Sequence, residues 1–286
     1  MKNASRATQW RLLHATIEFG CRPALMGILN VTPDSFSDGG QFLDHARAVE
    51  CGLRLAAEGA EILDIGGEST RPNSQPVDAA EELRRVIPVI RQLARQTKTP
   101  ISIDTSKAVV AREALAAGAQ AINDITGLAG DPEMIPLAAA SGAGVCAMHM
   151  RGTPQTMQDN PTYVDVVREV SDFLRHRRDA LQSAGIDPQR IALDPGIGFG
   201  KRTAHNRELL SEAWRLHALG CPLLIGHSRK GFVRKIVGDD RADPLFGTIG
   251  VALALARQGV QVLRVHDVAA VRQALLLFEA TGGLGE

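Results

Sequence analysis

The run PISIDT, residues 100–105, shows the pattern on which the fold of this chain depends. It is short and mostly apolar, it ends in polar residues, and a helical pattern follows it. Seven further runs of this kind cover residues 24–30, 61–66, 119–125, 144–150, 190–196, 221–228 and 260–267. Nearly continuous hydrophobicity is typical of parallel strands that are buried on both faces. Eight such units without a linker predict an α/β protein with a (β/α)8 TIM barrel.

The domain organisation follows from the same spacing. We expect one barrel domain over residues 1–286, in which residues 1–22 form an N-terminal extension or hairpin that covers the barrel bottom. Helix starts are predicted where a capping residue precedes a helical pattern, at Asp78, Asp131, Asn160 and Asp243.

Composition limits the possible partners. Lys and Arg together number 32, as do Asp and Glu, so no net charge draws the chain toward nucleic acid or an anionic membrane. Neither a signal peptide nor a membrane-spanning run is recognisable. The cysteines do not have the spacing of a metal site, so we interpret them as reduced packing residues of a cytoplasmic protein. They are Cys21, Cys51, Cys146 and Cys221.

Polar residues stand at the end of every predicted strand, where barrel enzymes place their active sites. They are Asn30, Asp64 with Glu68, Asp104, Asn123 with Asp124, His149, Asp194, Ser228 with Arg229 and Lys230, and Arg264 with His266. For Asp64 and Asp124 a purely structural role is an equally good interpretation. Residues 196–202 fit neither a dinucleotide fingerprint nor a P-loop, and the histidines lack the spacing of a zinc site.

At these residues the sequence resembles the dihydropteroate synthases, from Ala24 to Thr281. The resemblance lies in GILNVTPDSFSD (residues 27–38), GGESTRP (66–72), SIDT (102–105), ND (123–124), DPGIGFGK (194–201), and SRK (228–230) with RVHD (264–267). It implies an enzyme, a transferase of folate biosynthesis, in which para-aminobenzoate displaces pyrophosphate from 6-hydroxymethyl-7,8-dihydropterin diphosphate to give dihydropteroate. It also implies Mg²⁺ as cofactor and a homodimer formed through the last helices, where Val271, Leu275, Leu276 and Phe278 could form a seam or pack in the core.

The resemblance implies roles for residues in three subsites. Pterin-binding residues are Asp104, Asn123, Met148, Asp194, Phe199, Lys230 and Arg264. Pyrophosphate would meet Asn30, Thr70, Arg71, Arg264 and His266, with Asn30 also at the metal. Para-aminobenzoate would contact Phe36, Pro72, Lys230 and Gly231, on loops expected to close over the substrates. Catalysis would depend on Asn30, Arg71, Lys230, Arg264 and His266.

Two positions differ from the pattern of many relatives. Gly231 stands where serine is common, so only its backbone NH could meet the benzoate carboxylate, and affinity for that substrate could be altered. His227 precedes Ser228, and we interpret it as a packing residue.

Two other functions fit parts of this pattern. A pterin-binding methyltransferase barrel would share the acidic and amide residues at the strand ends, but it has no evident use for Arg71 and His266 on the phosphate side. A noncatalytic paralogue that binds pterin is expected to lose site positions, whereas every position matched here keeps a suitable side chain.

Overall fold

The barrel is present in the computed structural model, which describes residues 6–32, 41–69 and 74–284. Its parallel strands are β3 (Ala24–Asn30), β4 (Ile62–Gly66), β5 (Ile101–Asp104), β6 (Ala121–Asp124), β7 (Gly144–Met148), β8 (Ile191–Asp194), β9 (Leu224–Gly226) and β10 (Val262–Val265). The order β8-β7-β6-β5-β4-β3-β10-β9 is closed by a parallel bridge between Leu193 and Leu223. All eight lie within the predicted runs, which confirms the fold class.

Helices surround the sheet in the described part of the chain. They are α1 (Gln41–Ala57), α2 (Ala79–Gln96), α3 (Ala108–Ala117), α4 (Met134–Ser141), α5 (Val166–Ser183), α6 (Thr203–Ser211), α7 (Phe232–Val237), α8 (Pro244–Arg257) and α9 (Val268–Ala280). Among these helices, none combines the length and apolar character that a bilayer crossing requires.

Two of the four predicted helix starts are confirmed. The side chain of Asp78 accepts a hydrogen bond from the Glu81 NH, and Asp243 accepts one from Leu245. The other two are wrong. Asp131 binds the NH groups of Glu133 and Ala108, while α4 begins only at Met134.

The start predicted at Asn160 lies in a loop, because α5 begins at Val166 with Asp165 as its N-cap. Asn160 itself has a φ of 52°, a left-handed conformation, whereas an N-cap residue typically has an extended one.

A hairpin of β1 (Gln9–Arg11) and β2 (Thr16–Glu18) packs against the bottom of the barrel. Trp10 is fully buried, and its Nε1 donates to the Arg190 carbonyl at 2.9 Å. The indole belongs to an apolar cluster at the amino ends of the strands, with Leu12, Met26, Ile62, Ala121, Cys146, Ala192, Leu224 and Val262. This end of the barrel is therefore closed, and the carboxyl ends of the strands form the opposite mouth.

The cysteines only partly match their predicted packing role. All four are free, and Cys146 and Cys221 are buried, but Cys21 is exposed.

Candidate active site

A cavity of about 1440 Å³ opens at the carboxyl ends of the strands. Its lining includes seven of the predicted site residues, which are Asn30, Asp104, Phe199, Lys230, Gly231, Arg264 and His266. Three more, Asn123, Met148 and Asp194, stand at the ends of their strands and are almost fully buried. Parallel strands point the same way, so side chains far apart in the chain meet here. Phe36, Thr70, Arg71 and Pro72 lie outside the described residues, as do most of the loops expected to close.

The guanidinium of Arg264 is held by two carboxylates. Its Nε donates to Asp64 Oδ2 at 2.5 Å, and its Nη2 donates to Asp104 Oδ2 at 2.7 Å. Both contacts lie on the edge of the planar group, so neither bond uses its flat faces. Burial raises the pKa of Asp104 and Arg264 opposes this, while the neighbouring carboxylates raise the pKa of Arg264.

Asp64 also fixes the amide of Asn123. The Nδ2 of Asn123 donates to Asp64 Oδ2 at 3.0 Å, which leaves the amide oxygen as an acceptor for a ligand. Asp64 is fully buried and joins Arg264 to Asn123. Asp124, by contrast, binds the backbone and hydroxyl of Thr126 within its own turn. The two aspartates that the sequence left undecided therefore differ: Asp64 supports the site, and Asp124 stabilises a turn.

Asp194 ends β8 at the mouth of the barrel and is almost fully buried. Its Oδ1 accepts from the Gly196 NH at 2.7 Å. Burial raises the pKa of Asp194, while Lys230, the Gly196 NH and Lys201 oppose that rise. A carboxylate so placed can accept further donors from a flat, polar ligand.

Lys230 approaches Asp194 from the β9 side. Its ammonium donates to the Ile197 carbonyl and lies 4.6 Å from the centre of the Phe199 ring. Burial lowers the pKa of Lys230 to about 8, and Asp194 is the main group opposing this shift. Phe199 and the buried Met148 supply apolar surface beside these charges.

The cavity lining also includes Ser228 together with Asn30 and His266, two of the residues predicted to meet pyrophosphate. His266 Nδ1 lies 3.1 Å from Ser228 Oγ, a hydrogen bond that orients the imidazole. Arg229 pairs with Asp267, at 2.9 Å between Nε and Oδ2. Gly231 precedes the first residue of α7, at the rim of the cavity.

The amide oxygen of Asn30 suits a metal ion that is bound mainly by water and substrate. Within the described ranges, no cluster of three or more His, Cys, Asp or Glu side chains could hold an ion. Asn30 lines the cavity and offers one amide oxygen, a hard ligand of the kind Mg²⁺ prefers. The residues present therefore fit a Mg²⁺ ion that would be held partly by the phosphate oxygens of a substrate. They do not form a site in which protein ligands alone would surround the ion.

Sequence reasoning missed the pair formed by Lys201 and His149. Lys201 is only 2% exposed, and its Nζ lies 2.8 Å from His149 Nδ1. A lysine that ends a glycine-rich, apolar turn is the available signal: Lys201 belongs to the DPGIGFGK segment of the resemblance and to the rejected P-loop, but neither interpretation gives it a role. His227 does have the predicted packing environment, since it is fully buried and its Nε2 lies 3.0 Å from the Thr248 carbonyl.

Comparison with known proteins identifies the family. The model of the pterin binding enzymes matches residues 26–266. The dihydropteroate synthase of Synechocystis sp. is 45% identical over 259 residues, which are 90% of this chain and 89% of that protein.

Two solved structures of the Xanthomonas albilineans dihydropteroate synthase share the fold. The structure with 4-aminobenzoic acid has a TM-score of 0.89 and 47% identity, covering 96% of this chain and 98% of that one. The structure with 7,8-dihydropteroate has a TM-score of 0.85 and 45% identity, with the same coverage. The chain therefore belongs to the pterin-binding enzymes and, within them, to the dihydropteroate synthases.

Proposed function

We propose that this transferase joins para-aminobenzoate to 6-hydroxymethyl-7,8-dihydropterin diphosphate, forming 7,8-dihydropteroate and pyrophosphate. The observation that carries the proposal is the cluster of buried carboxylates, an amide and cations at one mouth of the barrel. The chain is also nearly half identical to synthases whose structures were solved with 4-aminobenzoic acid and with 7,8-dihydropteroate. A pterin presents donors and acceptors along the edge of a flat ring, and this cluster is complementary to such an edge.

Asp194 is proposed to accept the pterin amino group and ring NH as a bidentate pair. The oxygen of Asn123 and the carboxylate of Asp104 would receive further ring donors, and Lys230 would donate to the ring carbonyl. Arg264, held edge-on by Asp64 and Asp104, would stack its flat face on the pterin. Met148 and Phe199 would enclose the apolar parts of the ring.

The diphosphate would lie between Asn30, His266, Arg264 and the segment that contains Thr70 and Arg71. Negative charge grows on the departing pyrophosphate, so donors and cations placed there stabilise the transition state more than the bound substrate. Mg²⁺ bound at Asn30 and the diphosphate would supply further neutralisation of that charge.

The reaction that fits this arrangement is a dissociative displacement. The bond between the pterin methylene carbon and the diphosphate oxygen breaks first, and its electron pair leaves with pyrophosphate. The amine nitrogen of para-aminobenzoate then forms the new bond to the methylene carbon and releases a proton. Phe36 and Pro72 would contact the benzoate ring, while Lys230 and the Gly231 NH would meet its carboxylate.

The test is pyrophosphate release by the purified protein with pterin diphosphate and Mg²⁺, with and without para-aminobenzoate. We expect release to rise with para-aminobenzoate and to match the dihydropteroate formed. Tight pterin binding without turnover would support the noncatalytic alternative, and methyl transfer from methyltetrahydrofolate would support the methyltransferase.

Arg71→Ala tests the phosphate side. We expect it to lower kcat/KM for the pterin diphosphate by roughly 100-fold, because a charge-assisted contact to the leaving group is lost. Affinity for a pterin without phosphates should stay unchanged, since Arg71 is assigned no contact with the ring. An equal loss of affinity for the phosphate-free pterin would contradict this assignment.

A homodimer is proposed through α8 and α9. Of the four predicted seam residues, Val271 and Leu275 are fully buried in the monomer core and cannot form the seam, whereas Leu276 is exposed and Phe278 is half-buried. Phe246 and Leu277, which are 73% and 62% exposed, add apolar surface on the same two helices. Sedimentation of Phe246→Glu and Leu277→Glu should show monomers beside a dimeric wild type. The free cysteines support a cytoplasmic location, which stays a prediction.

A further inference from the structure

The turn between Asp194 and Lys201 has a backbone that glycine alone accommodates. Gly196, Gly198 and Gly200 have φ values of 66°, 85° and 64°. A Cβ on Gly196 would lie 1.9 Å from the His149 carbonyl oxygen, and one on Gly200 would lie 2.4 Å from that of Arg151. A glycine-rich segment has many conformations available, so its single shape must be imposed by its surroundings.

Side chains from outside the turn capture its backbone polar groups. These contacts are Asn206 Oδ1 with the Gly198 NH at 2.7 Å, Gln158 Nε2 with the Gly198 carbonyl at 2.8 Å, and Tyr163 OH with the Gly200 carbonyl at 2.8 Å. Within the turn, the Gly196 NH binds Asp194 Oδ1. The conformation of the turn and the orientation of this carboxylate are therefore linked.

Lys201 makes the largest set of these contacts. Its Nζ lies 2.9 Å from the Gly196 carbonyl, 3.0 Å from the Phe199 carbonyl and 2.8 Å from His149 Nδ1. An ammonium has three N–H donors, and these partners can take all three. Burial lowers the pKa of His149 to about 3, so its imidazole is neutral and can accept at Nδ1.

A buried ammonium is unfavourable for folding, and an apolar side chain of similar length would fill the same space. Desolvation lowers the pKa of Lys201, while Asp194 favours the charged form. The same attraction favours the ionised form of Asp194. The charge of Lys201 therefore acts on the carboxylate that we assign to the pterin.

We propose that Lys201, oriented by His149, is a positioning residue for pterin recognition. It draws the carbonyls of Gly196 and Phe199 together, which sets the direction of the Asp194 carboxylate and the place of the Phe199 ring. Its charge also favours the ionised form of Asp194, in addition to the larger effects of Lys230 and the Gly196 NH. Lys201 acts through these two residues without being assigned a contact of its own with the pterin. This inference rests on the proposed function, because it assigns a support to the pterin subsite.

The experiment measures the affinity of the wild type and Lys201→Met for a phosphate-free pterin by calorimetry from pH 5 to 8. We expect Lys201→Met to bind at least about tenfold more weakly at neutral pH. Pterin binding requires the Asp194 carboxylate, so affinity falls as pH drops through the pKa of Asp194. Without the charge of Lys201 that pKa rises, and the fall should begin at higher pH. A merely structural role would not move this midpoint.

Hydrogen exchange provides a second readout without ligand. The Gly198 amide should exchange faster in Lys201→Met than in the wild type, because the turn loses its central contact. Lys98→Met is the matched control, since it removes an exposed lysine that lies before the amino end of β5, at the opposite end of the barrel. Lys98→Met should change neither the midpoint of the pH dependence of affinity nor the exchange rate of the Gly198 amide.

Two variants of His149 test the inference if Lys201→Met does not fold. His149→Phe keeps an aromatic ring but removes the acceptor, whereas His149→Asn places an amide oxygen near the position of Nδ1. We expect weaker binding in His149→Phe and recovery in His149→Asn.

Unchanged affinity and midpoint in folded Lys201→Met, or equal affinity in the two His149 variants, would overturn the inference. A wild type that does not bind pterin would instead contradict the proposed function.

Discussion

The carboxylate of Asp194 illustrates how single residues define this site. It is almost fully buried, it accepts one backbone NH, and it lies near the ammonium of Lys230. Its value for a ligand therefore depends on the oxygen lone pairs that the protein leaves unused. A pterin with two parallel donors would satisfy them, whereas a ligand without such donors would leave a buried charge unpaired.

Asp194→Asn tests this role with little change in shape. We expect pterin affinity to fall by roughly 100-fold or more, because the amide loses the charge and turns an NH₂ group toward the pterin donors. Calorimetry with a phosphate-free pterin measures the effect. Lys98→Met serves as the control, and wild-type affinity in Asp194→Asn would show that the ring binds elsewhere.

Lys230 is expected to give the site a pH dependence. Burial lowers its pKa to about 8, and the ammonium donates hydrogen bonds only below that value. We therefore expect kcat/KM for the pterin diphosphate to fall as pH rises through about 8. Lys230→Met should have a lower kcat/KM than the wild type at neutral pH, and its kcat/KM should not fall further as pH rises through about 8. The same fall of kcat/KM at alkaline pH in both proteins would show that another group causes it.

The strand-end residues could be predicted from the sequence, but their partners could not. Asp64 meets Asn123 and Arg264, which lie 59 and 200 residues away in the chain. Only barrel closure brings these groups together, so the supporting role of Asp64 required the structure. Lys201 was missed for the same reason, because its partner His149 is 52 residues away.

At the scale of elements, helix starts were predictable where a local signal acts alone. Asp243 is followed by a proline at the first helical position and accepts the Leu245 NH, so residues 243–245 suffice to define the start of α8. Asp131 carries the same signal and likewise accepts the NH two residues on, from Glu133, but its second oxygen accepts from the NH of Ala108, the first residue of α3. Its local signal therefore does not act alone, and α4 begins only at Met134.

The β1–β2 hairpin is an element whose contribution is stability. We expect Trp10→Ala to lower the free energy of unfolding by about 4 kcal/mol, because a fully buried indole is replaced by a cavity. Trp10→Phe should cost less, since it retains most of the apolar contact and loses only the bond to the Arg190 carbonyl. Chemical denaturation measures both. Pterin affinity should stay within about twofold of the wild type in both variants, and a large loss would contradict the separation of the two barrel ends.

At the scale of the whole molecule, the barrel assigns different tasks to its two ends. The amino ends of the strands are filled by an apolar cluster around Trp10, and the carboxyl ends carry charged and amide groups around the cavity. The chain has no net charge, so the attraction for a diphosphate comes from the local arrangement of cations at the mouth. We propose that this mouth is one continuous site for the pterin and the benzoate.

A crystal structure of the protein with 7,8-dihydropteroate tests that claim most directly. We predict the amino edge of the pterin on Asp194, with Asn123 and Lys230 in hydrogen-bond contact, Arg264 stacked on the ring, and the benzoate carboxylate at Gly231. Dihydropteroate bound away from Asp194, or bound there in the reverse direction, would contradict a single continuous site of this polarity.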